Sequence, residues 1–167
     1  MPNASTLPAQ SDSEALLSEW EEARPAEAAP VTPALRTAFT HFVAEVLSDT
    51  QETNLVRTDV QEVLSEAAGL TIGRAEASGP NRVQEALREA YLNTQFVEPR
   101  TAPKGRILLL VQSRPDTELE MDELTDLTGT LWQNAGLEWE MVFGYDIVPG
   151  LPAEIRFTFI LAPRSPQ

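Results

Sequence analysis

Five consecutive apolar residues, Ile107 to Val111, stand between Gly105 and Gln112. Successive side chains of a strand point to opposite faces, so an extended run of this kind is apolar on both sides and belongs at a central position in a sheet. It is the longest apolar run of the chain and falls far short of the roughly 20 residues that span a bilayer. The strand therefore has to be buried by other elements of the same chain.

Those elements can be read from periodicity. Thr32 as N-cap with Pro33 behind it predicts a helix start. Leu35, Phe39, Phe42, Val43, Val46 and Leu47 then recur at helical spacing, predicting a long core helix over 33–48. A polar loop from Ser48 to Leu55 follows. Thr58 and Gln61 have capping-box spacing ahead of Val60, Val63, Leu64 and Ala67, which predicts a short helix. Leu70 to Ala77 reads as a strand. Gly79-Pro80 opens a helix with Val83, Ala86, Leu87, Ala90 and Tyr91 on one side. Pro99 to Lys104 is a linker before the apolar strand. Met121, Leu124, Leu127, Leu131 and Trp132 mark another helix, stopped by Gly136. Leu137–Val148 and Glu154–Leu161 read as strands joined by a Pro149-Gly150 turn, which predicts an antiparallel pair. The fold class expected is α+β: a long N-terminal helix, then β-α-β-α-β-β as a four-stranded mixed sheet with helices on one face.

Residues 1–30 differ in character. Six acidic side chains stand against the single Arg24, in a setting of Ala, Pro and Ser. Such a segment is expected to be a disordered acidic tail, followed by a domain over 32–163. Ser11 and Glu14 nevertheless have capping-box spacing, and Leu16, Leu17 and Trp20 share one side of a short helix over 11–20. That segment either folds back on its own domain or frays, or it serves as a linear motif that folds on a partner groove.

Charge and composition exclude several functions. A net charge of −14, with eleven arginines and the single Lys104 spread along the chain, argues against nucleic acid and against direct binding to anionic membranes. There is no cysteine, hence no disulfide, thiolate metal site or cysteine nucleophile. His41 is the only histidine, which excludes imidazole triads and multi-histidine metal sites. The eight glycines never come closer than four residues apart, whereas a phosphate cradle needs them crowded at a helix start. The acidic pairs, such as Asp122-Glu123, lie in the tail or at a helix N-terminus, where the helix dipole favours them. No cofactor, metal or nucleotide is expected, and no catalytic residue. With no basic or apolar leader at its start, the chain is expected to be cytoplasmic.

Particular words of the sequence, taken in order, resemble FtsZ, the bacterial tubulin relative. Asn54-Leu55-Val56-Arg57-Thr58-Asp59-Val60 is similar to that family's loop after its core helix, usually Asn-x-Asp-Phe-Ala-Asp-Val. Ala77-Ser78-Gly79-Pro80-Asn81-Arg82 resembles its Ala-x-Gly-Glu-Asn-Arg. Gly105 to Leu110, the Met121-Asp122-Glu123-Leu124 helix start, Phe143-Gly144 and Glu154 to Ile160 are similar to segments further along. The resemblance covers about residues 32 to 162 and implies the core helix and C-terminal domain of that family. The family's glycine-rich nucleotide signature has no counterpart in these residues.

In the family, the loop after the core helix enters the nucleotide pocket of the next subunit, and two acids there help to position the hydrolytic water. Val56 stands where the first acid is usual, and only Asp59 remains. A valine neither accepts a proton nor orients water. The resemblance thus implies a non-catalytic FtsZ-like protein that binds FtsZ and modulates or caps its polymerisation in cell division. Asn54, Val56, Arg57 and Asp59 would form the partner-binding loop, with Arg57 either a solvated charge or a contact to a partner's phosphates. The alternative is a structural, self-associating interaction module unrelated to FtsZ dynamics, using the Leu16, Leu17 and Trp20 motif.

Overall fold

The computed structural model describes residues 7–46 and 55–164, with side chains described from Asp12 onward. In chain order the elements are α1 (Leu7–Ala23), α2 (Pro33–Val46), α3 (Arg57–Leu64), β1 (Leu70–Ala77), α4 (Arg82–Leu92), β2 (Gln95–Val97), β3 (Gly105–Ser113), α5 (Met121–Ala135), β4 (Glu140–Ile147) and β5 (Ile155–Pro163). The end of the core helix expected at 47–48, and Asn54, lie outside the described residues. The molecule is α+β, with one mixed sheet in the order β2-β1-β5-β3-β4.

Local signals account for several of the helix ends. Thr32 Oγ1 accepts the Leu35 N–H at 3.1 Å, as an N-cap should. Gly136, at φ 143°, ends α5 in a backbone region that favours glycine. At α3 the expected box of Thr58 and Gln61 is replaced by a single side-chain cap two residues earlier, because Val56 at the N-cap has no acceptor to complete a box. The helix begins at Arg57, and Asp59 Oδ2 accepts the Val56 N–H at 2.8 Å.

Three expectations about the sheet are corrected. It has five strands, the fifth being the short β2, which pairs antiparallel with β1. Helices cover both faces. Leu35, Phe39 and Phe42 of α2, with Val60 and Val63 of α3, pack on Leu70, Ile72, Leu108, Leu110 and Ile160. Val83 and Leu87 of α4, with Leu127 and Leu131 of α5, pack on Ile107, Leu109, Phe157 and Phe159. A strand apolar on both sides, as β3 is from Ile107 to Val111, requires this second layer. Finally, β4 and β5 are not a hairpin. β4 runs parallel to β3 at the sheet edge, and β5 inserts between β1 and β3, antiparallel to both. Burial explains the choice: β5 is buried from Phe157 to Pro163 on both faces, whereas β4 is mostly exposed or half-buried. The more apolar strand takes the central seat.

The sheet packs tightly at its ends. A Cβ on Gly105 would lie 2.7 Å from the Ala162 carbonyl and 2.8 Å from the Trp139 ring, so only glycine fits there. Arg82 is 9 % exposed and pairs with Glu123 through two 2.8 Å hydrogen bonds, joining α4 to the start of α5.

The N-terminal segment departs from the expected tail. Over Leu7–Ala23 it is a helix, longer at both ends than the 11–20 read from the capping box. Leu16, Leu17 and Trp20 are at most 5 % exposed and belong to the cluster formed by α2 and α3. The Trp20 indole N–H donates to the Ala67 carbonyl at 2.8 Å, and Arg36 pairs with Glu21 at 2.7 Å. The fold-back reading describes this conformation, and the three residues of the motif are not open to a partner in it.

Candidate functional site at the start of α3

The loop entering α3 is fixed from below by Leu55, which is 2 % exposed, and from the helix side by the buried Val60. Between these anchors Val56 is 52 % exposed, Thr58 is exposed, and Arg57 and Asp59 are half-buried. The chain thus presents a short polar edge with one apolar side chain in front.

Each expected site residue has a definite place. Asp59 occupies the third position of α3, where its carboxylate caps the Val56 N–H and meets the positive end of the helix. Arg57 turns toward α1, its Nε donating to Asp12 Oδ1 at 3.3 Å, with both side chains 38 % exposed. Val56 offers no lone pair. Asn54 is outside the described residues, and Leu16, Leu17 and Trp20 lie inside the core beneath α1. The structure brings Val56, Arg57 and Asp59 together and adds Asp12, which the sequence did not point to. Chemically the edge can make one charge-assisted contact through Arg57 and one apolar contact through Val56.

A second feature was not legible in the sequence. A groove of about 1270 Å³ runs between α1, the C-terminal end of α3 and the segment before β3. Trp20, Arg24, Glu66, Pro99, Lys104 and Arg164 are among its walls. The Arg24 guanidinium lies 4.5 Å over the Trp20 ring and donates to the Ala29 carbonyl at 2.6 Å. Burial lowers the Arg24 pKa, partly offset by Glu21. Residues 24, 104 and 164 are too far apart in sequence to read as a basic cluster; only folding gathers them. Among the described residues no group of three or more histidine, aspartate or glutamate side chains is placed to hold a metal ion. Nor is any described helix long and apolar enough to cross a membrane.

No protein-family model matches the chain, and no curated protein matches it. Solved structures do. An FtsZ W319Y mutant from M. jannaschii superposes with a TM-score of 0.57 at 19 % identity, over 83 % of this chain and 43 % of that one. An empty FtsZ dimer of the same organism gives 0.54 at 17 % identity, over 88 % and 42 %. GDP-bound CetZ1 from Haloferax volcanii gives 0.50 at 17 %, over 86 % and 43 %. The chain spans under half the length of these structures. It has part of the FtsZ/tubulin fold, the portion that matches the C-terminal domain of those proteins.

Proposed function

We propose that this chain is a non-catalytic FtsZ-like module that binds FtsZ and limits its polymerisation, through the loop at the start of α3. The observation that carries the reading is the state of that loop. Val56 is exposed where the resemblance puts an acid, and the Asp59 carboxylate is engaged in capping its own helix. A loop so built can enter a neighbour's pocket without supplying a group that activates water. Arg57 would then meet anionic groups of the partner, its guanidinium being suited to phosphate.

The sequence adds a second support. Its glycines are too scattered to cradle a triphosphate, so these residues would offer the next subunit no nucleotide to bind. A molecule of this kind would occupy the open nucleotide face of an FtsZ subunit and stop growth there.

The test is sedimentation and GTP turnover of the source organism's FtsZ with this protein added. A fall in pelleted polymer together with a fall in turnover, both saturating as the protein approaches equimolar amounts, is expected. Unchanged polymer and unchanged turnover at several-fold excess would overturn the proposal.

A further inference from the structure

A cavity of about 280 Å³ lies where the C-terminal ends of α4 and α5 meet the start of β1. Side chains alternate along a strand, so Thr71 stands on the α4 face while Leu70 and Ile72 pack under α2. Its register partner Leu161 shares that face, and the two form the floor. Trp139, 2 % exposed, is a wall, fixed by its indole N–H donating to the Ala102 carbonyl at 3.0 Å. Arg100 and Asn134, both exposed, stand at the mouth.

Two hydroxyls in this shell lack partners. Thr71 is 3 % exposed, and its Oγ1 makes no hydrogen bond within the protein. The Tyr91 hydroxyl, equally shielded from solvent, completes none either. Burial raises the Tyr91 pKa, and the nearby Asn134 side chain opposes that rise, so the phenol stays protonated and able to donate at neutral pH. Packing on Phe159, with ring centroids 5.1 Å apart, holds the Tyr91 ring in place. Buried hydroxyls without partners cost stability and are few in native proteins, so two lining one cavity point to a ligand that completes them.

The charge of the lining gives the ligand's sign. Arg100 has only neutral partners among the described residues: its guanidinium lies 4.1 Å over the Phe96 ring and donates to Thr94 Oγ1 at 3.3 Å. No acidic residue lines the cavity among the described residues, although the chain carries 26 acids against 12 cations. The larger groove beside α1 differs, since Glu19, Glu66 and Glu98 share its walls with Arg24, Lys104 and Arg164 and the charges balance.

We propose that this cavity binds a small aromatic carboxylate that carries a hydroxyl at the far end of its ring. The carboxylate meets the planar fork of Arg100 and the Asn134 amide at the mouth. The ring lies between Trp139 and Leu161, and the far hydroxyl reaches those of Thr71 and Tyr91, each of which can donate and accept. Ligand pockets run from about 300 Å³ upward, so a cavity at the bottom of that range suits one ring rather than two. The site belongs to α4, α5 and the strand ends, apart from the loop at α3, and does not depend on FtsZ binding.

Isothermal titration of the full chain with three probes tests it. 4-Hydroxybenzoate is expected to bind saturably. Benzoate, which lacks the far hydroxyl, and 4-hydroxybenzamide, which lacks the charge, should each bind roughly tenfold more weakly. Arg100→Gln, at an exposed position, should weaken 4-hydroxybenzoate by roughly tenfold and leave 4-hydroxybenzamide unchanged, because only the charged contact is lost. Thr71→Val keeps the side-chain shape and should bring 4-hydroxybenzoate down to the affinity of benzoate. Should that variant fail to fold, Tyr91→Phe makes the same comparison. No saturable binding of 4-hydroxybenzoate would overturn the proposal, as would equal affinity for all three probes. So would an Arg100→Gln variant that binds as the wild type does, or a Thr71→Val variant that changes the melting temperature but not the preference for the hydroxylated probe.

Discussion

Arg82 is the most buried cation described, and its surroundings show what one residue holds together. Its guanidinium bonds both Glu123 oxygens, donates to the Glu118 carbonyl at 3.1 Å and lies 3.5 Å from Glu154. The hydrogen bond from Arg82, opposed by partial burial, holds the Glu123 carboxyl below its usual range. A carboxylate with a depressed folded-state pKa contributes stability above its unfolded pKa and loses it as pH falls through the folded value. Glu123→Ala should therefore cost about 3 kcal/mol near neutral pH, because it leaves a buried cation short of its main partner. The difference from wild type should shrink below about pH 4, which chemical denaturation at several pH values would reveal. At the proposed contact loop the energies are smaller. The exposed pair of Arg57 and Asp12 contributes up to about 1 kcal/mol, so Asp12→Ala should free Arg57 and raise affinity for FtsZ by no more than about fivefold. A loss of affinity in that variant would mean that Asp12 itself makes the contact.

The helix α1 belongs to the fold rather than to a tail. Its moderate polarity conceals this in the sequence, since its five acidic residues outweigh Leu16, Leu17 and Trp20 in any compositional count. Three large apolar side chains on one face are enough to dock a helix when a partner face is waiting, and α2 supplies that face. Trp20→Ala removes a buried ring and leaves the Ala67 carbonyl without its donor. A loss of about 3–5 kcal/mol is expected, visible as a melting temperature lower by about 10 °C. A dispensable tail would show no change. The strands were more legible than the helix. β1 coincides with the span read from its pattern, and β3 and β5 differ by one or two residues at their ends. Strand pairing was less so, because a Pro-Gly turn signals a reversal of the chain without saying which strand lies next to it. β2 gave no signal, being only three residues long.

At the scale of the molecule, the sequence and the structure agree on the part of the FtsZ/tubulin fold present, and they divide the surface differently. Words shared with a family mark the elements and the loop, which is why Val56, Arg57 and Asp59 could be named together. They do not mark the groove walled by Arg24, Lys104 and Arg164, because it exists only once distant segments meet. The proposed function requires the loop, through Arg57, to touch FtsZ. Equilibrium binding of GTP-loaded FtsZ to the immobilised chain measures it directly. Saturable binding is expected, weakening roughly tenfold or more in Arg57→Glu, since a desolvated charge contact is reversed in sign. Absence of binding, or binding untouched by that reversal, would contradict it.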